Sequence, residues 1–384
     1  MSLAQLIEPI PIAEFCEQYW EKRPVAIPGK PGRFSGLFSS QDMGRLLQFE
    51  RPRSPEGMLL VKGSRHCDIN WIYPDGSPRI DKVRAAWKDG YTIVVNMMNK
   101  LWEPIASFSA GLEEDLHHPV GVNLYFTPPG TQGFEPHFDV MDAFIIQLEG
   151  SKVWEIRGPA ADLPMPDEHV PLSKDRIPPI VFEENLEAGS VLYIPRGHVH
   201  SARTNTTASL HLTLGINVVT WVDLLSAALS AARKDSRFRK ALPPGFFNGV
   251  TGLPDQFSEL VDDLKQHMNL ENALARLAEQ LIVPKPPPGD ALLMQEEELT
   301  VDTVLERRKG VICRSLEGPG YAGIHYSGGR IMGPGKIAPA LRFVSENRSF
   351  PVRSLDGGLS DKEKLVLARR LVKEGLLCVT VAGE

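Results

Sequence analysis

An α+β fold, with a β-sandwich or barrel in the middle of the chain and helices on either side, follows from three features of the sequence. Between Val120 and Val219 the segments NLYFTP, AFIIQLEG, KVWEI, SVLYIP and SLHLTLGINVV are short β-branched and aromatic runs separated by Gly and Pro. That is the pattern of repeated strands joined by tight turns. Past Thr220 the apolar residues change to helical spacing, over Val222–Arg233 and then through Leu260, Leu264, Met268, Leu274, Leu277 and Leu281 in the stretch Phe257–Ile282. PKPPPGD, Pro284 to Asp290, is a stiff linker. It sets off three units: residues 1–221, residues 222–290 including the linker, and residues 291–384.

The remaining elements fit this frame. Ile12, Phe15, Cys16, Tyr19 and Trp20 form a helical apolar stripe, and Ser40 is placed to cap a helix running through Leu46 and Leu47. Tyr91–Asn96 reads as a strand. Near the end, SDKEKLVLARRLVKEGLL has Ser360 and Glu363 at capping-box spacing and Gly375 as its stop. The chain has 384 residues, 42% hydrophobic and 23% charged, with a net charge of −6. That balance argues against a generally basic nucleic-acid binder. Cys16, Cys67, Cys313 and Cys378 show no CxxC spacing, so reduced thiols in a cytoplasmic protein are expected. No apolar run reaches the roughly 18 residues of a membrane span, and the amino terminus lacks the pattern of a secretory signal.

The chemistry concentrates in two stretches, Gly133–Trp154 and Gly189–Ala202. His137 and Asp139 stand two residues apart in a segment that reads as strand, so an imidazole and a carboxylate face one point. A second strand, after a turn built on Pro195 and Gly197, returns a further histidine. Two histidines and one carboxylate with open positions form the donor set of non-haem Fe(II) oxygenases. Alone, His-x-Asp is weak, since strands place many such pairs on polar faces by chance. Spacing leaves the third ligand open between His198 and His200, themselves at i and i+2. His211 reads as a core histidine or a support for the ligands, His117 and His118 as solvent-facing, and Asp142 and Glu135 as surface or mouth residues. Arg196 and Arg203 flank the third ligand, where an exposed arginine is ordinarily just solvated.

The order N-x-Y-x-T-P-P-G-x-Q-G-F-x-P-H-x-D, then F-I-I-Q-L-E-G-x-K-x-W, then G-x-V-L-Y-I-P-R-G-x-x-H resembles the JmjC-type cupin oxygenases known as ribosomal oxygenases. FCEQYWEKRPVAI resembles that family's amino-terminal helix and strand, and SDKEKLVLARRLVKEGLLCV its winged-helix element. The resemblance implies a double-stranded β-helix (jelly-roll, cupin) catalytic domain over 1–221, a helical dimerisation domain over 222–290 and a winged helix over 291–384. It selects His200, which closes PRGxxH, over His198, and so implies Fe(II) held by His137, Asp139 and His200. It further implies 2-oxoglutarate as cosubstrate, taking two of the open positions and leaving one for O2. The cosubstrate's far carboxylate would meet Lys152 and Tyr125, with Asn123 lining the same pocket. Where relatives of the lysine-bearing branch often carry Ser, this chain has Gly215, which breaks any transfer of substrate preference.

The function implied is hydroxylation of a protein or peptidyl side chain, a histidine or arginine at the β-carbon in a ribosomal protein, by a homodimer. Other enzymatic readings are a hydroxylase of a biosynthetic peptide or amino acid and an N-methyl-lysine demethylase, which would release formaldehyde. A non-catalytic cupin with a winged helix acting as a regulator is the reading from a different class. Arg369, Arg370 and Lys373 make a basic helical patch, but Glu363 and Glu374 dilute it and nucleic-acid binding is not expected.

Overall fold

The computed structural model describes residues 2–50, 52, 57–168, 172–248, 252–281, 299–327 and 329–380, so the Pro284–Asp290 linker lies outside the described residues. The chain forms two compact units, Met1–Val218 and Val219–Glu384.

The first unit is built on ten strands: β1 (Val25–Ile27), β2 (Met58–Lys62), β3 (Arg65–His66), β4 (Thr92–Val95), β5 (Val120–Thr127), β6 (Asp142–Pro159), β7 (Ile180–Glu187), β8 (Val191–Ile194), β9 (His198–Arg203) and β10 (Ser209–Ile216). Their order is β1-β8-β6-β10-β5-β4-β2-β3, with β7 and β9 also paired to β6. AFIIQLEG and KVWEI, which read as two strands, are halves of the single 18-residue β6. Its first half pairs with β8 and β10 and its second with β7 and β9. Gly150 stands where the partners change, at φ 65°, and a Cβ there would fall 1.8 Å from the Ala208 carbonyl oxygen. Only glycine fits that corner.

Alternation along the strands then sorts the side chains. Val122 and Leu124 of β5, Phe144 and Ile146 of β6, and Leu212 and Leu214 of β10 belong to the main core, together with Phe15, Ile105, Phe108 and Leu112 from the helices Ile12–Gln18 and Glu103–Leu116. The opposite faces of the same strands present Tyr125, Ala143, Ile145, His211 and Thr213 to an interior cavity. A smaller core of Ile145, Trp154, Ile156, Leu186, Leu192 and Ile194 fills the rest of the interior. Ser40 does not cap a helix as expected: Gln41 precedes the short helix Asp42–Arg45 without a side-chain cap bond, and Ser39 donates its N–H and hydroxyl to Asp42 Oδ2 at 2.9 and 2.7 Å.

In the second unit the helix Trp221–Leu229 packs against Leu270–Leu281 through Ala227, Ala228, Ala273 and Leu277. The stretch Phe257–Ile282 is not continuous, because Leu253–His267 ends before Leu270–Leu281 begins. Farther on, β11 (Val304–Arg307), β15 (Ser349–Pro351) and β16 (Leu377–Val379) form one antiparallel sheet, and β12 (Cys313–Gly318), β13 (Tyr321–Tyr326) and β14 (Gly329–Pro334) another. The helices Ala338–Glu346 and Asp361–Lys373 share one core with strands of both sheets. Ser360 and Glu363 do make the capping box, and Gly375, at φ 79°, follows the helix end. Among the described residues no helix is long and apolar enough to cross a membrane.

Candidate active site

His137 and Asp139 do not lie in a strand. They occupy the loop between β5 and β6, where His137 forms an isolated antiparallel bridge with His200. His137 N–H donates to the His200 carbonyl at 3.1 Å, and His200 N–H to the His137 carbonyl at 2.8 Å. The turn before β9 is fixed to the same loop. Gly197, at φ 82°, donates its N–H to the Asp139 carbonyl at 2.9 Å, and the Arg196 N–H reaches Asp142 Oδ1 at 2.8 Å. A Cβ at Gly197 would fall 2.1 Å from the Ala161 carbonyl oxygen.

These restraints bring one donor atom each from His137, Asp139 and His200 within 4.8 Å of one another. His200 Nε2 lies 3.7 Å from Asp139 Oδ2. Both imidazoles turn Nδ1 toward a backbone carbonyl, His137 to Glu135 at 2.8 Å and His200 to His198 at 3.1 Å. A proton held at Nδ1 leaves the Nε2 lone pair free for a metal. Burial, reinforced by the His137 imidazole, pushes His200 down to about 4, so it is neutral near pH 7, the state a ligand requires. A cavity of about 360 Å³ opens from the triad and is lined also by Tyr125, Lys152, Trp154, His211 and Thr213.

Lys152 is 5% exposed, and burial lowers its ammonium to about 7. Its hydrogen bond among the described residues goes to Thr127 Oγ1, at 3.1 Å, and Thr127 in turn accepts from Thr92 Oγ1 at 3.1 Å. A buried cation bonded to a hydroxyl, with no ion pair to a carboxylate among the described residues, is arranged to receive an anion. Tyr125 faces the same cavity, its phenol pushed well above its ordinary value by burial and by Asp139. Asn123 is not among the lining residues; its side chain bonds to Tyr125 and accepts the Met97 N–H at 3.1 Å. The donor set therefore fits a six-coordinate divalent metal, and the cavity fits a small dicarboxylate.

Several side chains stand elsewhere than the sequence suggested. Asp142 is fully buried rather than at the surface, with its carboxyl raised to about 6 by burial. Arg196 is also buried, paired to Glu21 at 2.7 Å. Arg203 lies outside the cavity, paired to Glu155 at 2.6 Å. His198 stands opposite Pro159 after a register shift and outside the triad. His118 does not face solvent; its ring stacks on Trp20 at 5.8 Å, while His117 is exposed. Beside Gly215 the Met141 side chain fills the space, its sulfur 2.2 Å from where a Cβ would stand. Ser64 and Thr92 also line the cavity and were not singled out in the sequence, because neither belongs to a recognisable motif.

Residues 100–224 match the JmjC domain family, and all three residues of the triad lie within that segment. Beyond that segment the chain is similar to curated ribosomal oxygenases over part of their length. It is 29% identical over 331 residues to ribosomal oxygenase 1 of Gallus gallus, covering 77% of this chain and 52% of that protein. It is 31% identical over 260 residues to a bifunctional lysine-specific demethylase and histidyl-hydroxylase of Drosophila persimilis, covering 65% and 37%. The chain thus spans about half or less of the length of these curated relatives. The structure of the Escherichia coli ribosomal oxygenase YcfD in complex with cobalt and 2-oxoglutarate superposes with a TM-score of 0.60 at 19% identity, covering 97% of this chain and 99% of that one. That likeness speaks for the fold. The two histidines and one carboxylate of the triad are the donor set of a non-haem Fe(II) site.

Proposed function

We propose that this chain is an Fe(II)- and 2-oxoglutarate-dependent oxygenase that hydroxylates a protein or peptidyl side chain. The observation that carries this is one cavity with a His, Asp and His triad beside the buried Lys152 ammonium. His137, Asp139 and His200 are assigned as the metal ligands, and Lys152 and Tyr125 as the groups that bind the cosubstrate's far carboxylate, with Asn123 orienting the phenol. Bound together, iron and 2-oxoglutarate use O2 to replace a substrate C–H hydrogen with hydroxyl, releasing succinate and carbon dioxide. The protein's part is to orient both and to keep water out.

The relatives named ribosomal oxygenases support a ribosomal protein as substrate, and the motif resemblance adds a histidine or arginine β-carbon as the position hydroxylated. Four free cysteines agree with action in the cytoplasm. The helices of 221–281 are assigned to a homodimer interface and the C-terminal sheets and helices to a winged-helix domain.

Peptide mass spectra of ribosomal proteins from strains with and without the gene test the substrate. A gain of one oxygen dependent on the gene is expected, whereas formaldehyde release with no oxygen retained would favour demethylation, the activity in the Drosophila relative's name. His137→Ala and Asp139→Ala should each abolish 2-oxoglutarate turnover while leaving the protein folded, and retained turnover would overturn the ligand assignment. For the third ligand, His200→Ala should abolish iron binding and His198→Ala should leave it measurable.

A further inference from the structure

His211 is left without a task by the ligand and cosubstrate assignments, yet it is 1% exposed and lines the cavity. It makes no hydrogen bond among the described residues, and its Nδ1 is walled off without a partner. What holds it is ring packing. His211 and Tyr125 are direct cross-strand partners of β10 and β5, and their rings stack at 4.8 Å with 2° between the planes. On another side the Trp154 ring meets His211 edge-on, at 5.5 Å and 79°. Trp154 is two residues from Lys152 on β6, so both point to the same face, and the Lys152 ammonium lies 5.9 Å from the indole centroid. The imidazole is thus wedged between the phenol and the strand that carries the ammonium. Such aromatic cross-strand pairs fix a ring where an aliphatic partner leaves it freer to turn.

We infer that His211 is a positioning residue, whose ring clamps the Tyr125 phenol beside Lys152 in the geometry that binds the far carboxylate of 2-oxoglutarate. This rests on the proposed cosubstrate pocket. A neutral ring suits the place: burial, then the Lys152 charge, hold His211 well below its ordinary value, so the clamp adds no second cation beside the ammonium. Tyr125 also bonds to Asn123. One side chain therefore braces the phenol along its own strand, and the other braces its ring face from the neighbouring strand.

The test is calorimetric titration of the full chain, first with Mn(II) alone and then, Mn(II)-loaded, with 2-oxoglutarate. His211→Leu should weaken 2-oxoglutarate about tenfold with Mn(II) affinity unchanged, and His211→Phe, which keeps a flat ring, should stay within about threefold of wild type. In a Tyr125→Phe background, His211→Leu should add less than about twofold, because the clamp acts through the phenol. Additive losses in the two backgrounds, or His211→Phe as weak as His211→Leu, would overturn the inference. If His211→Leu does not fold, His211→Gln, which also lacks the flat ring, takes its place in both backgrounds with the same expected and overturning results. A wild-type protein that binds Mn(II) but not 2-oxoglutarate would instead sink the cosubstrate pocket itself. In turnover, His211→Leu should raise the KM for 2-oxoglutarate and leave kcat nearly unchanged.

Discussion

A buried ammonium bonded to a hydroxyl alone is a destabilising choice unless something uses the charge. Lys152 loses its proton near 7 in the folded protein, while an unfolded lysine keeps it to about 10.5. Between those values the unfolded chain binds more protons, so stability rises with pH, and below about 7 the full penalty is in force. Lys152→Met should therefore raise the melting temperature of the metal-free protein at pH 7, by the equivalent of about 2–4 kcal/mol. The gain should fade toward pH 10 in a pH series of thermal melts. The same variant should lose 2-oxoglutarate affinity by about a hundredfold or more, as when one partner of a buried charge pair is removed. A variant that is no more stable yet binds normally would show that the lysine is not held buried for this anion. The sequence made the His-x-Asp pair visible, but Lys152 and His200 came from resemblance, since a strand lysine has no signal of its own and spacing alone could not separate His200 from His198. Asp142 and Arg196 were misread because burial of a single polar residue leaves no periodic signal. Arg196 finds Glu21 175 positions away, a partner that exists only once the sheet has formed.

At the scale of elements, the site depends on a few joints between strands. β6 changes partners at Gly150, and Gly150→Ala should cost more than about 2 kcal/mol in denaturant unfolding, since the Cβ would meet the Ala208 carbonyl and φ is positive. A second joint is the bond from the Arg196 N–H to Asp142 Oδ1, which pins the turn before β9 to the start of β6. Because the Asp142 carboxyl is raised to about 6, it is protonated more readily folded than unfolded. Its contribution is thus fully present below about pH 4 and lost as pH rises through 6. Asn keeps the acceptor oxygen without the charge. Asp142→Asn should match wild type in melts below pH 4 and exceed it by about 1–3 kcal/mol above pH 6; a deficit at every pH would contradict this. β4, β5, β6, β8, β9 and β10 were legible, because alternation and turn residues mark them locally, whereas β2, β3 and β7 were not read. The passage of one strand through Gly150 was not, because a glycine between two apolar runs reads equally well as a turn. The placement of His137 and Asp139 in a loop escaped for a related reason: an i, i+2 pair looks the same in a strand and in an extended loop.

On the scale of the molecule, the Val219–Glu384 unit leaves an apolar surface uncovered. Trp221, Val222, Leu225 and Leu229 follow one another at helical spacing on Trp221–Leu229 and are all exposed, Trp221 to 78%. Phe247 is 90% exposed and Phe257 68%. Exposed apolar side chains at helical spacing, on a chain with a net charge of −6, are the observation on which the proposed homodimer interface rests. The small core under the helix, with Ala227 and Ala228 against Ala273 and Leu277, is separate from this exposed face. Charge placed on the face should therefore spare the helical packing. Trp221→Glu combined with Leu225→Glu should convert a particle of twice the chain mass into one of single mass by light scattering, with far-ultraviolet dichroism unchanged. The triad and Lys152 belong to the other unit, so Mn(II) and 2-oxoglutarate affinities should stay within about twofold of wild type. A wild-type protein already of single mass would remove the dimer from the proposal and leave the oxygenase reading untouched. Loss of metal binding in the double variant would instead show that association completes the site.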